Sequence, residues 1–287
     1  MTGLEAVALG LVIGLVLGGL GGGGAILTVP ALVYLLGQPA QAATTGSLVI
    51  VGLSALTGVA SYVGDRQVRW RLGLTFGLVG LPATWAGSLL NHRVDEDVLL
   101  LGFAALMIAA AVAMLTDRVR RRAAAGADPE PPEPEPLPGD GRSGGVSTLA
   151  RPLASAPSRS RSRTSPAAVA GVSLLVGLLT GFFGVGGGFV VVPALVLVLG
   201  VPMQQAVGTS LLIVALNSGT SLLSRIGGPE VDWSVVLPFA VAAMVAAVLG
   251  KRVADRLPAR RLTVGFAVLL LLVAGYTSWQ SLVGITG

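Results

Sequence analysis

Apolar residues run along this chain in long unbroken stretches, separated by short charged clusters rather than alternating with them. Apart from Glu5, the charges fall in five zones: Asp65 to Arg71, Arg93 to Asp97, Asp117 to Arg163, Arg225 to Asp232 and Lys251 to Arg261. Crossing about 30 Å of hydrocarbon takes roughly 20 helical residues at 1.5 Å each. The intervals 40–63, 72–91, 98–116, 203–224, 234–250 and 262–284 are close to that length. Membrane strands would alternate apolar and polar positions, and these intervals do not. The pattern predicts helices that span a membrane.

Two apolar stretches, 4–37 and 167–200, are too long for one span each. A straight helix over 4–37 would reach about 51 Å. Each stretch contains a glycine cluster, Gly21-Gly22-Gly23-Gly24 in the first and Gly184-Val185-Gly186-Gly187-Gly188 in the second. Contiguous glycines disfavour helix and permit positive φ. Both stretches are therefore expected to be broken helical hairpins with glycine tips inside the membrane. By hydropathy alone the chain counts about eight spans.

The two stretches open two related halves. Shifted by 163 residues, Gly14 falls on Gly177, Gly21 on Gly184, Pro30 on Pro193, Gln41 on Gln204 and Ser47 on Ser210. Of the 48 positions from Gly10 to Thr57, 23 are identical in this register without a gap. The same register matches Trp70 with Trp233 and Gly87 with Gly250. Shared apolar composition would give scattered leucine and valine matches, not glycines, prolines, tryptophans and glutamines in step. The chain reads as a duplication, with repeats at 1–116 and 167–287.

Loop charge sets the orientation of the copies, because positive loops stay in the cytoplasm. Asp65 to Arg71 is net +2 whereas its partner, Arg225 to Asp232, is net −1. His92 to Asp97 is net −2 with the histidine neutral, whereas Lys251 to Arg261 is net +4. Matched loops thus prefer opposite sides, which predicts an inverted repeat with a hairpin and three crossings per half. It puts both termini outside the cytoplasm. The segment 117–166 between the halves carries a proline–glutamate run and a serine–arginine run. Neither can bury enough apolar surface to offset chain entropy, so a disordered cytoplasmic tether is expected. No Lys or Arg occurs in the first 60 residues, so the positive region of a signal peptide is missing and a first membrane segment is expected instead.

Composition narrows the function. The chain is 53% hydrophobic and 11% charged, against about a quarter charged in soluble domains, and it has no cysteine and one histidine. An all-α polytopic membrane protein fits; a soluble enzyme, a disulfide-built module and a nucleic-acid binder do not. Without a cysteine, a second histidine or a carboxylate pair in a span, neither metal chemistry nor a catalytic triad has its parts. No catalysis, cofactor or metal is expected. The formal dinucleotide match Gly19-x-Gly21-x-x-Gly24 lacks a βαβ setting and is a by-product of the glycine run.

A glycine tip followed by a short helix offers unpaired N–H groups and a positive dipole end, an anion site with no charged side chain. Unwound backbone in a bilayer is tolerated only where protein buries it or it lines a cavity. Gly23, Gly24, Gly186, Gly187 and Gly188 are thus candidate donors, and Pro30 and Pro193 would shape the short helices. Gln41, Gln204, Thr209 and Ser210, beside the hairpins, are candidates to orient the ligand, with interhelical hydrogen bonding as the alternative. Gly14-xxx-Gly18 and Gly177-xxx-Gly181 read as helix-packing motifs.

The repeated pattern resembles the TauE/SafE sulfite-exporter family, also called toluenesulfonate uptake permeases. The likeness rests on Gly21-x-Gly23-Gly24 with Pro30-x-Leu32, Gly184-x-Gly186-Gly187-Gly188 with Pro193-x-Leu195, and Ala206-x-Gly208-Thr209-Ser210. It implies a polytopic inner-membrane transporter of sulfur-containing anions such as sulfite and organosulfonates. The expected partners are a small anion and lipid, with further copies of the chain left open. Alternating access of the two halves is the leading mechanism; a passive anion channel and a membrane-embedded scaffold or enzyme are the alternatives.

Overall fold

The computed structural model describes residues 2–91, 96–125, 166–183, 188–223 and 231–286. The regular elements in them are helices. The first half holds α1 (Thr2–Leu20), α2 (Gly24–Pro30), α3 (Ala40–Val63), α4 (Trp70–Asn91) and α5 (Glu96–Ala125). The second holds α6 (Pro166–Phe183), α7 (Gly188–Pro193), α8 (Met203–Leu223), α9 (Trp233–Arg256) and α10 (Ala259–Thr286). The described residues are all-helical, as in a multi-pass membrane protein. Among them, five stretches are long and apolar enough to cross a bilayer: Gly3–Leu20, Gln41–Val63, Met203–Leu223, Trp233–Arg256 and Ala259–Trp279. Gly102–Thr116 and Pro166–Phe182 are shorter apolar helices.

The expected break after α1 is present. Gly21 takes φ +80°, a left-handed conformation that glycine adopts without steric cost. The chain then turns back, and α2 packs along α1 so closely that a Cβ on Gly24 would lie within 3 Å of the Ile13 carbonyl and of Leu17. α2 passes Pro30 into a wider π-type turn over Ala31–Leu35, and α7 passes Pro193 into its counterpart over Ala194–Val198. Proline has no N–H to give and its ring crowds the preceding turn, which suits a widened helix. Gly37 (φ +65°) and Gly200 (φ +62°) then end the two arms as left-handed caps.

Small residues let the helices approach at backbone distance. α1 and α9 run parallel, with Gly10 against Phe239, Gly14 against Ala243 and Gly18 against Ala247. A Cβ on any of these glycines would overlap the facing carbonyl. The packing role expected of Gly14 and Gly18 is what they perform. The same arrangement recurs 163 residues away: Gly250 of α9 sits on Leu15 and Gly19 of α1, and Gly87 of α4 sits on Leu178 and Phe182 of α6. α3 and α8 cross antiparallel, Gly52 meeting Ser218 and Gly58 meeting Leu211.

The larger core cluster gathers around the hairpins, where Leu17, Tyr62, Met107, Phe189, Leu211 and Phe266 are all buried. Phe103 of α5 meets Phe189 of α7 edge-on, with ring centroids 4.9 Å apart. The outer surface is apolar too: Trp85 is 71% exposed and Trp279 70%. In water such a surface would be costly; against lipid it is the ordinary solvent-facing side.

Three boundaries differ from the sequence reading. α5 continues to Ala125, past the expected limit at residue 116, because arginine and alanine at 118–125 are strong helix formers. α6 starts at Pro166, the first-turn position that proline favours. α9 continues to Arg256, so Lys251 belongs to a helix rather than a loop; extended Leu257 and Pro258 end it, not the first charge. The tether itself, from residue 126 to 165, lies outside the described residues, as do Gly184, Gly186 and Gly187.

Candidate functional site

The tip of the first hairpin meets the start of α7. A Cβ built on Gly22 would fall on the backbone of Gly188, and one built on Gly188 would fall on Gly22. Only glycine permits that approach, and no gap remains between the two backbones. Gly21 lies against Val192, Val207 and the hydroxyl of Ser210, joining the first-half tip to α7 and α8. Gly23 faces Phe266 and Leu269 of α10. The residues that meet at the junction are therefore Gly22, Gly188, Gly21 and Ser210, drawn from both halves.

The expected ligand-orienting side chains distribute unevenly around this junction. Ser210 is fully buried, and its hydroxyl donates to the Val207 carbonyl at 2.8 Å. Thr209 is also fully buried, and its hydroxyl oxygen accepts the Arg69 backbone N–H at 3.1 Å. Gln41 is exposed in the first turn of α3, and its carbonyl accepts from Thr44 and Thr45. Gln204 is half-buried in the first turn of α8. Gln41 follows the far end of the first hairpin arm, whose 12 residues Gly24–Leu35 span about 18 Å of helix. Gln204 precedes Ser210 on α8 by six residues, about 9 Å of helix. Pro30 and Pro193 lie where the arms widen.

Between the junction and one end of the bundle lies a polar cluster that the sequence does not announce. The Tyr62 hydroxyl donates to the Gly18 carbonyl at 2.9 Å, and the ring is buried. The Lys251 ammonium sits 5.5 Å from the centre of that ring and binds both Asp65 and Asp255. The Arg69 guanidinium donates to the Gln205 side-chain oxygen at 2.7 Å. Lys251, 7% exposed, is the one charged residue among the described buried side chains. Its burial is tolerable because two carboxylates satisfy it. Asp65 belongs to the turn after α3 and Lys251 to α9, so the cluster ties one half to the other. At the opposite end Gln38 donates to Asp232 at 3.3 Å, again across the halves.

The family model for the sulfite exporter TauE/SafE matches residues 6–277. The chain belongs to the TauE/SafE sulfite exporter family. A probable membrane transporter protein of Xylella fastidiosa (strain 9a5c) is 30% identical over 284 residues, covering 97% of this chain and 95% of that protein. The probable membrane transporter protein YunE of Bacillus subtilis (strain 168) is 25% identical over 280 residues, covering 95% and 96%. No solved structure matches the chain. TauE/SafE membership, with relatives named membrane transporters along nearly their whole length, makes this a member of a membrane-transporter family.

Proposed function

We propose that the protein carries small sulfur-containing oxyanions, of the sulfite and organosulfonate class, across the cell membrane by alternating access of two inverted halves. The observation that carries this reading is the meeting of Gly22 with Gly188, one tip from each half. Touching tips block the path between them, so passage requires that they part, and rocking of one half against the other parts them. Backbone N–H groups at the freed tips would then replace part of the anion's hydration, with the buried Ser210 hydroxyl beside them.

The inverted relation draws support from the contacts between halves. Asp65 and Lys251 follow crossings of different parity if the halves are mirror copies, and they touch; so do Gln38 and Asp232. In a parallel arrangement each pair would lie on opposite membrane faces. The matched contacts of Gly250 and Gly87 support a pseudo-two-fold relation at a shift of 163 residues.

The test is sulfite and sulfonate flux into proteoliposomes holding the purified chain. Saturable uptake, accelerated by the same anion on the far side, supports a carrier. Uptake that neither saturates nor trans-stimulates indicates a channel, and no anion flux refutes transport of this class.

A further inference from the structure

Besides the tip junction, a small polar void lies between α4 of the first half and α6, α7 and α8 of the second. Its walls include Thr84 of α4, Ser173 and Thr180 of α6, Asn217 of α8 and the apolar Val191 of α7. The void has room for about 10 Å³, enough for one water-sized occupant. Ser173 is completely buried and Thr180 is 5% exposed. Polar groups gathered inside a membrane protein are costly and mark functional sites.

The pseudo-equivalent place argues that this is not generic packing. Residues 163 positions away replace Thr84 by Ala247, Ser173 by Gly10, Thr180 by Leu17 and Asn217 by Ser54. There Ile13, Gly14, Leu17, Thr28 and Ser54 close around essentially no space, about 0 Å³. The duplicated unit thus leaves room for one occupant at this place and none at its counterpart, where the Thr28 and Ser54 hydroxyls are also buried.

The hydrogen bonds of two of these groups bear on the sign of the occupant. A hydroxyl has one proton. Thr84 spends its proton on the Gly80 carbonyl at 3.0 Å, and Ser173 on the Val169 carbonyl at 2.6 Å. Both oxygens therefore offer only lone pairs, which attract a cation and repel an anion. Thr180 adds a hydroxyl and Asn217 an amide, whose oxygens complete the set when the Thr180 proton and the Asn217 NH2 group point away from the void. Hard cations take such neutral oxygen ligands, and the small volume favours a dehydrated sodium ion over a larger one. We propose that Thr84, Ser173, Thr180 and Asn217 form a sodium site.

Val191 lies three residues, less than one helical turn, along α7 from Gly188 at the tip junction. A sodium ion in the void would place a positive charge near an anion held between the parted tips and so link the two movements. That coupling rests on the transport reading; the site itself does not.

The experiment measures equilibrium binding of radiolabelled sodium to the purified full-length chain in detergent, with choline as the inert counter-salt. Wild type is expected to bind one sodium per chain, saturably and with little competition from potassium. Ser173→Ala and Thr180→Leu, the second copying the residue at Leu17, should each weaken binding at least about tenfold while melting like wild type in choline. Absence of saturable sodium binding by wild type overturns the proposal, and so does undiminished binding in both folded variants. Flux run in parallel separates the two ideas. Sulfite uptake without sodium binding leaves the transporter standing and removes the cation site; sodium binding without flux of any anion does the reverse.

Discussion

Lys251, buried on α9, holds the carboxylate of Asp65 in the turn after α3, and the same ammonium binds Asp255 one turn along its own helix. The contact joins two halves of the chain at one end of the bundle, directly above the Tyr62 ring. In an alternating-access cycle this contact must break whenever that end opens.

Asp65 is half-exposed whereas Lys251 is not, so the pair's net contribution to stability is small. Asp65→Asn leaves Lys251 with Asp255 and should cost at most about 1 kcal/mol of stability. It should nevertheless raise labelling of a cysteine that replaces Ser210, fully buried at the tip junction, several-fold. The reciprocal exchange, Asp65→Lys with Lys251→Asp, should restore wild-type labelling. Labelling that ignores both changes would show that the contact does not close this end.

The chain has no native cysteine, which makes paired substitutions clean reporters. Asp65→Cys with Lys251→Cys should be joined by a short bifunctional methanethiosulfonate that spans the reach of the two native side chains, seen as a mobility shift that reductant reverses. Gln38→Cys with Asp232→Cys should do the same at the other end. Asp65→Cys with Asp232→Cys should not cross-link.

At the tips, Gly22→Val and Gly188→Val each place side-chain atoms on the opposing backbone. Anion flux in proteoliposomes should drop at least about tenfold, with membrane-inserted protein retained, since overpacking costs roughly 1–3 kcal/mol. Gly37→Ala is the control for a general glycine effect. Open space surrounds Gly37, but its φ of +65° strains alanine, so it should lower stability by about 1 kcal/mol while flux per folded molecule persists.

Asp232 caps α9, accepting the Ser234 backbone N–H at 3.1 Å. Hydrogen bonds from the Ser234 hydroxyl and then the Gln38 amide hold its carboxyl below the usual carboxylate range. A depressed folded-state pKa contributes stability above the ordinary carboxylate pKa and loses it as pH falls through the lower, folded value. The melting temperature of wild type minus that of Asp232→Asn should therefore be positive near neutrality. It should shrink as the pH drops below about 4. A difference that stays constant with pH would contradict the assignment.

Much of this architecture was legible in sequence because glycine and proline carry backbone instructions. The break at Gly21, the widened arms after Pro30 and Pro193 and the close packing of Gly14 and Gly18 follow from what those residues permit. Which glycine of a run meets the other half does not: Gly22 to Gly24 look alike until α7 is placed against them. Lys251 was read as loop because charge marks spans by where they should end, whereas the helix ends at Leu257 and Pro258. Thr84, Ser173, Thr180 and Asn217 come from three helices and share no local motif, so only packing assembles them. Gln41 and Gln204 match in register, but register alone does not say how far along α3 and α8 the tips come to lie; Ser210, six residues past Gln204, is the one that meets Gly21.

The most direct test of the inverted arrangement is sidedness. Single cysteines at Arg66, Arg252 and Gln38 would be treated with a membrane-impermeant maleimide in sealed vesicles of known orientation. The account predicts that positions 66 and 252 react from the same face and position 38 from the other. Reaction of 66 and 252 from opposite faces would contradict it.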